Sequence, residues 1–185
     1  MRADARKNYE HVLAVAREVI AEQGADASLR DIARKAEVGL GTLYRHFPTR
    51  EALLEALLRE SFDAMTARAA PLFDAADPGA ALVAWFREMV LLAHRLSGIT
   101  SIMMAAIEAP DSALHASCVT MKSAGARLLA RAQEAGVARR DMDGADLFAL
   151  VGALAWIGDQ PSLVARFDHL FEVISGAVVT PIGAA

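Results

Sequence analysis

Apolar residues recur along this chain at spacings of three and four, and Gly, Pro and short polar residues interrupt them at intervals. That spacing lines apolar side chains along one helical face. From about Asp4 to Gln23 the stripe is Tyr9, Val12, Leu13, Ala16, Val19 and Ile20, and Gly24 follows as a C-terminal cap. Ser28 opens a second helix with inner face Leu29, Ile32, Ala33 and Ala36, and Asp31 stands three residues on in a capping-box-like arrangement. A turn over residues 37–40 leads to a short third helix, about Gly41 to Phe47, which Pro48 ends. Thr49 caps a long fourth helix to about Phe73, and Asp77 and Pro78 read as N-cap and first position of a fifth, to about Leu96. Ser97 and Gly98 break it. Four more are expected: Thr100 to Ala109, Pro110 to Gly136, one starting at Asp143, and one from Pro161 or Ser162 to about Val179. No stretch alternates as a strand does. The expected fold is all-α with about nine helices, a three-helix N-terminal part over 1–48 and a larger helical body over 49–185.

Composition sharpens this picture. Of 185 residues, 55% are hydrophobic but only 6% aromatic, so the core must be built from Ala, Leu, Val and Met. These residues suit packed helices. The formal net charge is −4, and residues 1–60 carry ten Lys/Arg against ten Asp/Glu, so no basic domain announces itself. Cys118 is the single cysteine, which rules out an internal disulfide and fits a cytosolic setting. The charged N-terminus lacks the apolar centre of a signal peptide, and no uncharged run approaches the ~20 residues of a membrane span.

The third helix carries the chemistry. At about 100° per residue, with Leu43 facing inward, Phe47 falls on the same side, while Gly41, Thr42 and Arg45 face outward and Tyr44 and His46 flank the edges. Two short helices joined by a tight turn have helix-turn-helix geometry, in which the second helix enters the DNA major groove. The residue types fit that task. Arg45 can bond bidentately to guanine O6 and N7, and Thr42 can donate to a phosphate or offer its methyl to thymine. Gly41 allows close approach. Tyr44 and His46 can donate to phosphates of the groove walls, and Arg50 and the helix N-termini near Ser28 and Thr49 can reach others. Without a basic domain, affinity must come from the placement of Arg30, Arg34, Lys35, Arg45 and Arg50. Few phosphate contacts per subunit then call for two subunits.

The run "LRDIARKAEVGLGTLYRHFPTREALLEALL" resembles the DNA-binding signature of the TetR family of bacterial transcriptional regulators, over about Ala5 to Leu58. The resemblance implies that Leu40, Gly41, Thr42, Tyr44, Arg45 and His46 sit where family members touch DNA, and Ser28 and Arg50 where they touch the backbone. It also implies a homodimer on an operator, most often as a repressor, with a C-terminal domain that binds a small effector and releases the DNA. Two positions leave alternatives open. Glu37 stands where the family often has Gly, so either Glu37 takes a positive φ at a cost on the order of 1 kcal/mol or Gly39 takes over the flexible position. Leu40 is either a buried staple or a thymine-methyl contact.

In the body, Phe62, Met65, Trp85, Phe86, Met89, Met103, Met104, Ile107, His115 and Met121 are the candidates for a largely apolar effector site, or plain core. His94 could add a polar group there. Leu147, Phe148, Val151 and Leu154, with Leu163, Phe167, Leu170, Phe171 and Ile174, make a helix pair apolar enough for a two-fold interface. His115 and Cys118 lie one turn apart, but two ligands are fewer than a zinc site needs, so no metal or cofactor is expected. No catalytic motif appears. The function expected is a ligand-responsive DNA-binding regulator. The alternatives are a helical DNA-binding dimer without effector, and an adaptor or enzyme that retains a non-reading helix-turn-helix.

Overall fold

The computed structural model describes residues 2–24 and 26–179. Among them it is all-α: α1 (Arg2–Gln23), α2 (Leu29–Lys35), α3 (Leu40–His46), α4 (Arg50–Leu72), α5 (Pro78–Arg95), α6 (Ser97–Ile102), α7 (Met104–Glu108), α8 (Ala113–Glu134), α9 (Gly144–Gly158) and α10 (Phe167–Val178). The chain forms two compact units. One holds residues up to Glu60 together with Gly98–His115, and the other Ser61–Ser97 together with Ala116 onwards.

Helix ends follow local chemistry. Asp77 Oδ1 accepts from Ala80 N (2.9 Å) with Pro78 at the first position, and Thr49 Oγ1 accepts from Ala52 N (3.1 Å). A full capping box closes α9. Asp143 Oδ1 accepts from Ala145 N and Asp146 N, and Asp146 Oδ2 accepts from Asp143 N. The expected box at Ser28 is incomplete. Ser28 Oγ accepts from Arg30 N, but Asp31 is taken by Arg34 (2.8 Å). Gly24 caps α1 at φ 81°.

Two expected helices are broken. The stretch expected as one helix over 100–109 is α6 and α7, parted at Met103 (φ −94°, ψ 7°); α5 ends at Arg95 with Leu96 as its cap, close to where expected, and Ser97 and Gly98 open α6. Pro110 then holds Ala109 extended. After α9, Pro161 has no N–H to extend a ladder. The chain makes turns and a 3₁₀ stretch at Val164–Arg166 before α10 begins.

In the first unit α1 packs on α2 and α2 on α3. Val12, Leu13, Ala16, Val19 and Ile20 meet the burial expected, as do Ile32, Ala33, Leu43 and Phe47. In the second unit α5 packs chiefly on α9, and α9 on α10. Trp85, 1% exposed, donates its indole N–H to the Met65 carbonyl (3.0 Å) and meets Phe148 edge-on. Arg131 donates to the Leu72 and Ala75 carbonyls and so closes the end of α4.

Candidate nucleic-acid interface

The turn before α3 is a Schellman motif. Val38 N bonds Ala33 O (3.0 Å) and Glu37 N bonds Arg34 O (3.2 Å), which leaves Glu37 at φ 53°. This settles the open alternative. Glu37 holds the left-handed position, and Gly39, at φ −63°, is an ordinary extended N-cap. From α1, His11 Nε2 donates to the Ala36 carbonyl (3.1 Å) and ties the first helix to the same turn. Sequence reasoning missed this contact because His11 stands off the apolar stripe and its partner is a backbone atom.

Helix α3 buries one narrow stripe, Leu43 and Phe47, at 0% and 1% exposure. Gly41, Tyr44 and Arg45 are exposed, and Leu40, Thr42 and His46 are half-buried. Tyr44 stays open and packs on no ring among the described residues. It is Tyr9 of α1 that lies against Phe47 (centroids 4.9 Å) and edge-on to His46 (5.9 Å). A Cβ at Gly41 would meet nothing within 4 Å, so the fold itself makes no demand for glycine there.

The cations are not equally free. Arg34 is held by Asp31, Lys35 by Glu22 (3.1 Å) and Glu18 (3.6 Å), Arg50 by Asp26 (3.0 Å) and Arg17 by Glu60 (3.1 Å). The hydrogen bond to Glu22 pushes the Lys35 ammonium above its ordinary pKa. Arg50 Nε is also buried, without an acceptor among the described residues. Arg30 and Arg45 are exposed, with no carboxylate partner among the described residues. Ser28 is exposed beside Arg30, its hydroxyl spent on the cap. The outer face of α3 therefore offers hydrogen-bonding groups and the Arg45 guanidinium, with the exposed Arg30 on the neighbouring α2, whereas Arg34, Lys35 and Arg50 are each paired with a carboxylate.

The effector candidates fall in both units. Phe62, Met65, Trp85, Phe86, Met89 and Met121 belong to the second unit, all buried. Met103, Met104, Ile107 and His115 belong to the first, where Met104 is 45% exposed. Both histidines are used locally. His115 Nδ1 donates to the Ile107 carbonyl (2.8 Å), and His94 stands 3.0 Å from Asp159 against Gly158. Burial pushes the Cys118 thiol up in pKa, which disfavours a reactive thiolate. An open cleft of about 330 Å³ lies elsewhere, lined by Phe73, Arg127, Ala130, Arg131 and Glu134. Of the interface candidates, Leu147, Val151, Leu154 and Phe171 are buried within their own unit, while Phe148, Leu163, Phe167, Leu170 and Ile174 are half-buried. The outward stripe is instead Ala149, Gly152, Ala153 and Trp156 on α9, with Val173, Gly176 and Ala177 on α10. No helix among the described residues is long and apolar enough to cross a membrane.

Residues 12–57 match the family model of bacterial regulatory proteins of the tetR family, and residues 77–176 match that of transcriptional regulator SbtR-like C-terminal domains. A TetR transcriptional regulator of known structure, SCO0520 from Streptomyces coelicolor, is 33% identical, with a TM-score of 0.73 over 94% of this chain and 99% of that one. A TetR transcription regulatory protein from Mycobacterium vanbaalenii is 31% identical, with a TM-score of 0.71 over 97% and 99%. The HTH-type transcriptional regulator SAR0097 of Staphylococcus aureus is 39% identical over 67 residues. That match spans 35% of each chain, so this chain covers about a third of the length of such curated relatives.

Proposed function

We infer that this chain, which belongs to the TetR family of bacterial regulatory proteins, is a transcriptional regulator that reads its operator through the outer face of α3. Its matched relatives are regulators and not enzymes. The observation that carries the reading is Gly41, Tyr44 and Arg45 exposed, with Thr42 half-buried beside them, on a helix whose fully buried side chains are Leu43 and the adjoining Phe47. Gly41 lets the duplex approach, Arg45 reads a base edge, and Ser28, Arg30, Tyr44, His46 and Arg50 contact or position the backbone, with Leu40 at the groove edge. Residues 1–48 would carry this task and residues 49–185 the pairing of subunits and the response to a small molecule.

The exposed stripe around Gly152, Trp156 and Gly176 supports a homodimer, because small residues let two helix pairs approach closely. Such a dimer bound to a palindromic operator acts as a repressor when an effector favours the conformation that binds DNA poorly. The effector can shift DNA affinity only by its own preference between the two states. A second reading, a DNA-binding dimer without effector, is favoured by the dense packing around Trp85. There a Cβ on Gly125 would fall 2.6 Å from the indole ring.

Selection of bound sequences from a random double-stranded library, at fixed salt, tests the reading. One enriched palindrome is the expected result. A folded dimer that enriches no sequence would overturn it.

A further inference from the structure

We propose that Thr42 is a positioning residue for Arg45, and that the two side chains act as one unit at a single guanine-containing base pair; the inference rests on the reading of α3 given above. Arg45 Nη2 donates to Thr42 Oγ1 (3.1 Å), and Arg45 Nε donates to the Gly41 carbonyl (3.3 Å). Arg34, Lys35 and Arg50 are each held by a carboxylate, whereas Arg45 is held by a hydroxyl and a carbonyl of its own helix. It therefore keeps its full charge for an outside partner while its side chain is restrained.

The donor count permits both tasks at once. A guanidinium has five N–H donors in a rigid fork. Two are spent on Thr42 and Gly41, and three remain, of which two suffice for guanine O6 and N7. Arg45 can thus read a base without giving up the contacts that hold it. An unrestrained surface arginine loses rotamer freedom on docking, and that loss weakens every contact it makes. The Thr42 hydroxyl has already removed part of that freedom, and its effect belongs to the base pair that Arg45 touches and to no other.

The test uses the selected operator and its single-base variants in competition binding at fixed salt. The proteins are wild type, Thr42→Ser, Thr42→Val, Thr42→Ala, Arg45→Ala and the double variant Thr42→Val/Arg45→Ala. Valine keeps the shape of threonine and removes the acceptor, serine keeps the acceptor, and alanine guards against a packing effect of the valine methyl. Thr42→Val and Thr42→Ala are expected to lower discrimination by roughly threefold to tenfold at the base pair that Arg45→Ala relaxes, and at no other. Thr42→Ser should restore it, and Thr42→Val should add nothing once Arg45 is gone. Loss of affinity for all sequences alike, lost discrimination at a different base pair, an unchanged preference, or a full Thr42→Val effect in the Arg45→Ala background would overturn the inference and leave the reading of α3 intact. If Arg45→Ala relaxes no base pair, the reading itself falls.

Discussion

The interior of the second unit at Gly125 and the surface of the first at Gly41 show one residue type under opposite demands. Gly125 is buried on α8, and a Cβ there would lie 2.6 Å from Cη2 and Cζ3 of Trp85 and 3.3 Å from Phe148. Packing requires this glycine. Gly41 is exposed on α3, and a Cβ there meets nothing. It costs its helix up to about 1 kcal/mol relative to alanine, with no return inside the chain. A residue that the fold does not need, at the centre of an otherwise hydrogen-bonding face, marks a surface shaped for something outside the molecule. The comparison separates residues that hold the fold from residues that use it.

The largest effect should come from the interior. Gly125→Ala forces the Trp85 ring to move and should lower unfolding free energy by about 1–3 kcal/mol, read from chemical denaturation. An unchanged midpoint would mean that the indole can shift freely, and the contrast with Gly41 would fail. Next come the two arginines. Arg45→Ala should relax one base pair at ~1–3 kcal/mol, whereas Arg50→Ala should weaken all sequences alike and flatten the salt dependence. Equal weakening of every sequence by both variants would erase the distinction between base and phosphate roles.

Much of this was legible in the sequence for a physical reason. With Leu43 and Phe47 inward, a helical wheel gives the exposure of Gly41 and Arg45 directly, though Thr42 is half-buried where the wheel turns it outward, and the caps at Thr49, Asp77 and Asp143 are local chemistry. The body was less legible. Apolar periodicity marks a face as covered without saying by what, so Leu147, Val151, Leu154 and Phe171 read as a subunit interface although their own unit covers them. Long-range backbone partners left no trace either, as with His11 and the Ala36 carbonyl. The same holds for Asp26, whose hold on Arg50 joins residues 24 positions apart.

Two smaller effects refine the comparison. Glu37 pays for a left-handed backbone that glycine adopts freely, so Glu37→Gly should raise stability by about 1 kcal/mol in thermal or chemical unfolding. A loss would show that the Glu37 side chain makes a compensating contact. At the other unit's surface, the hydrogen bonds from Arg139 hold the Asp141 carboxyl down to about 2. The folded value is depressed, so any stability this pair adds is present above the ordinary carboxyl range and is lost as pH falls through about 2. Carboxyl carbon NMR should find that midpoint in the wild type, and the usual carboxylate value in Arg139→Gln.

The most direct measurement is made on Gly41→Ala, with unfolding free energy and operator affinity determined on the same preparation. Opposite signs are expected: stability rises by up to about 1 kcal/mol, because the new methyl meets nothing within the chain, and affinity falls, because it meets the duplex. Unchanged or tighter operator binding by a stabilised Gly41→Ala protein would contradict that expectation, since the outer face of α3 would then not be the surface that lies against DNA.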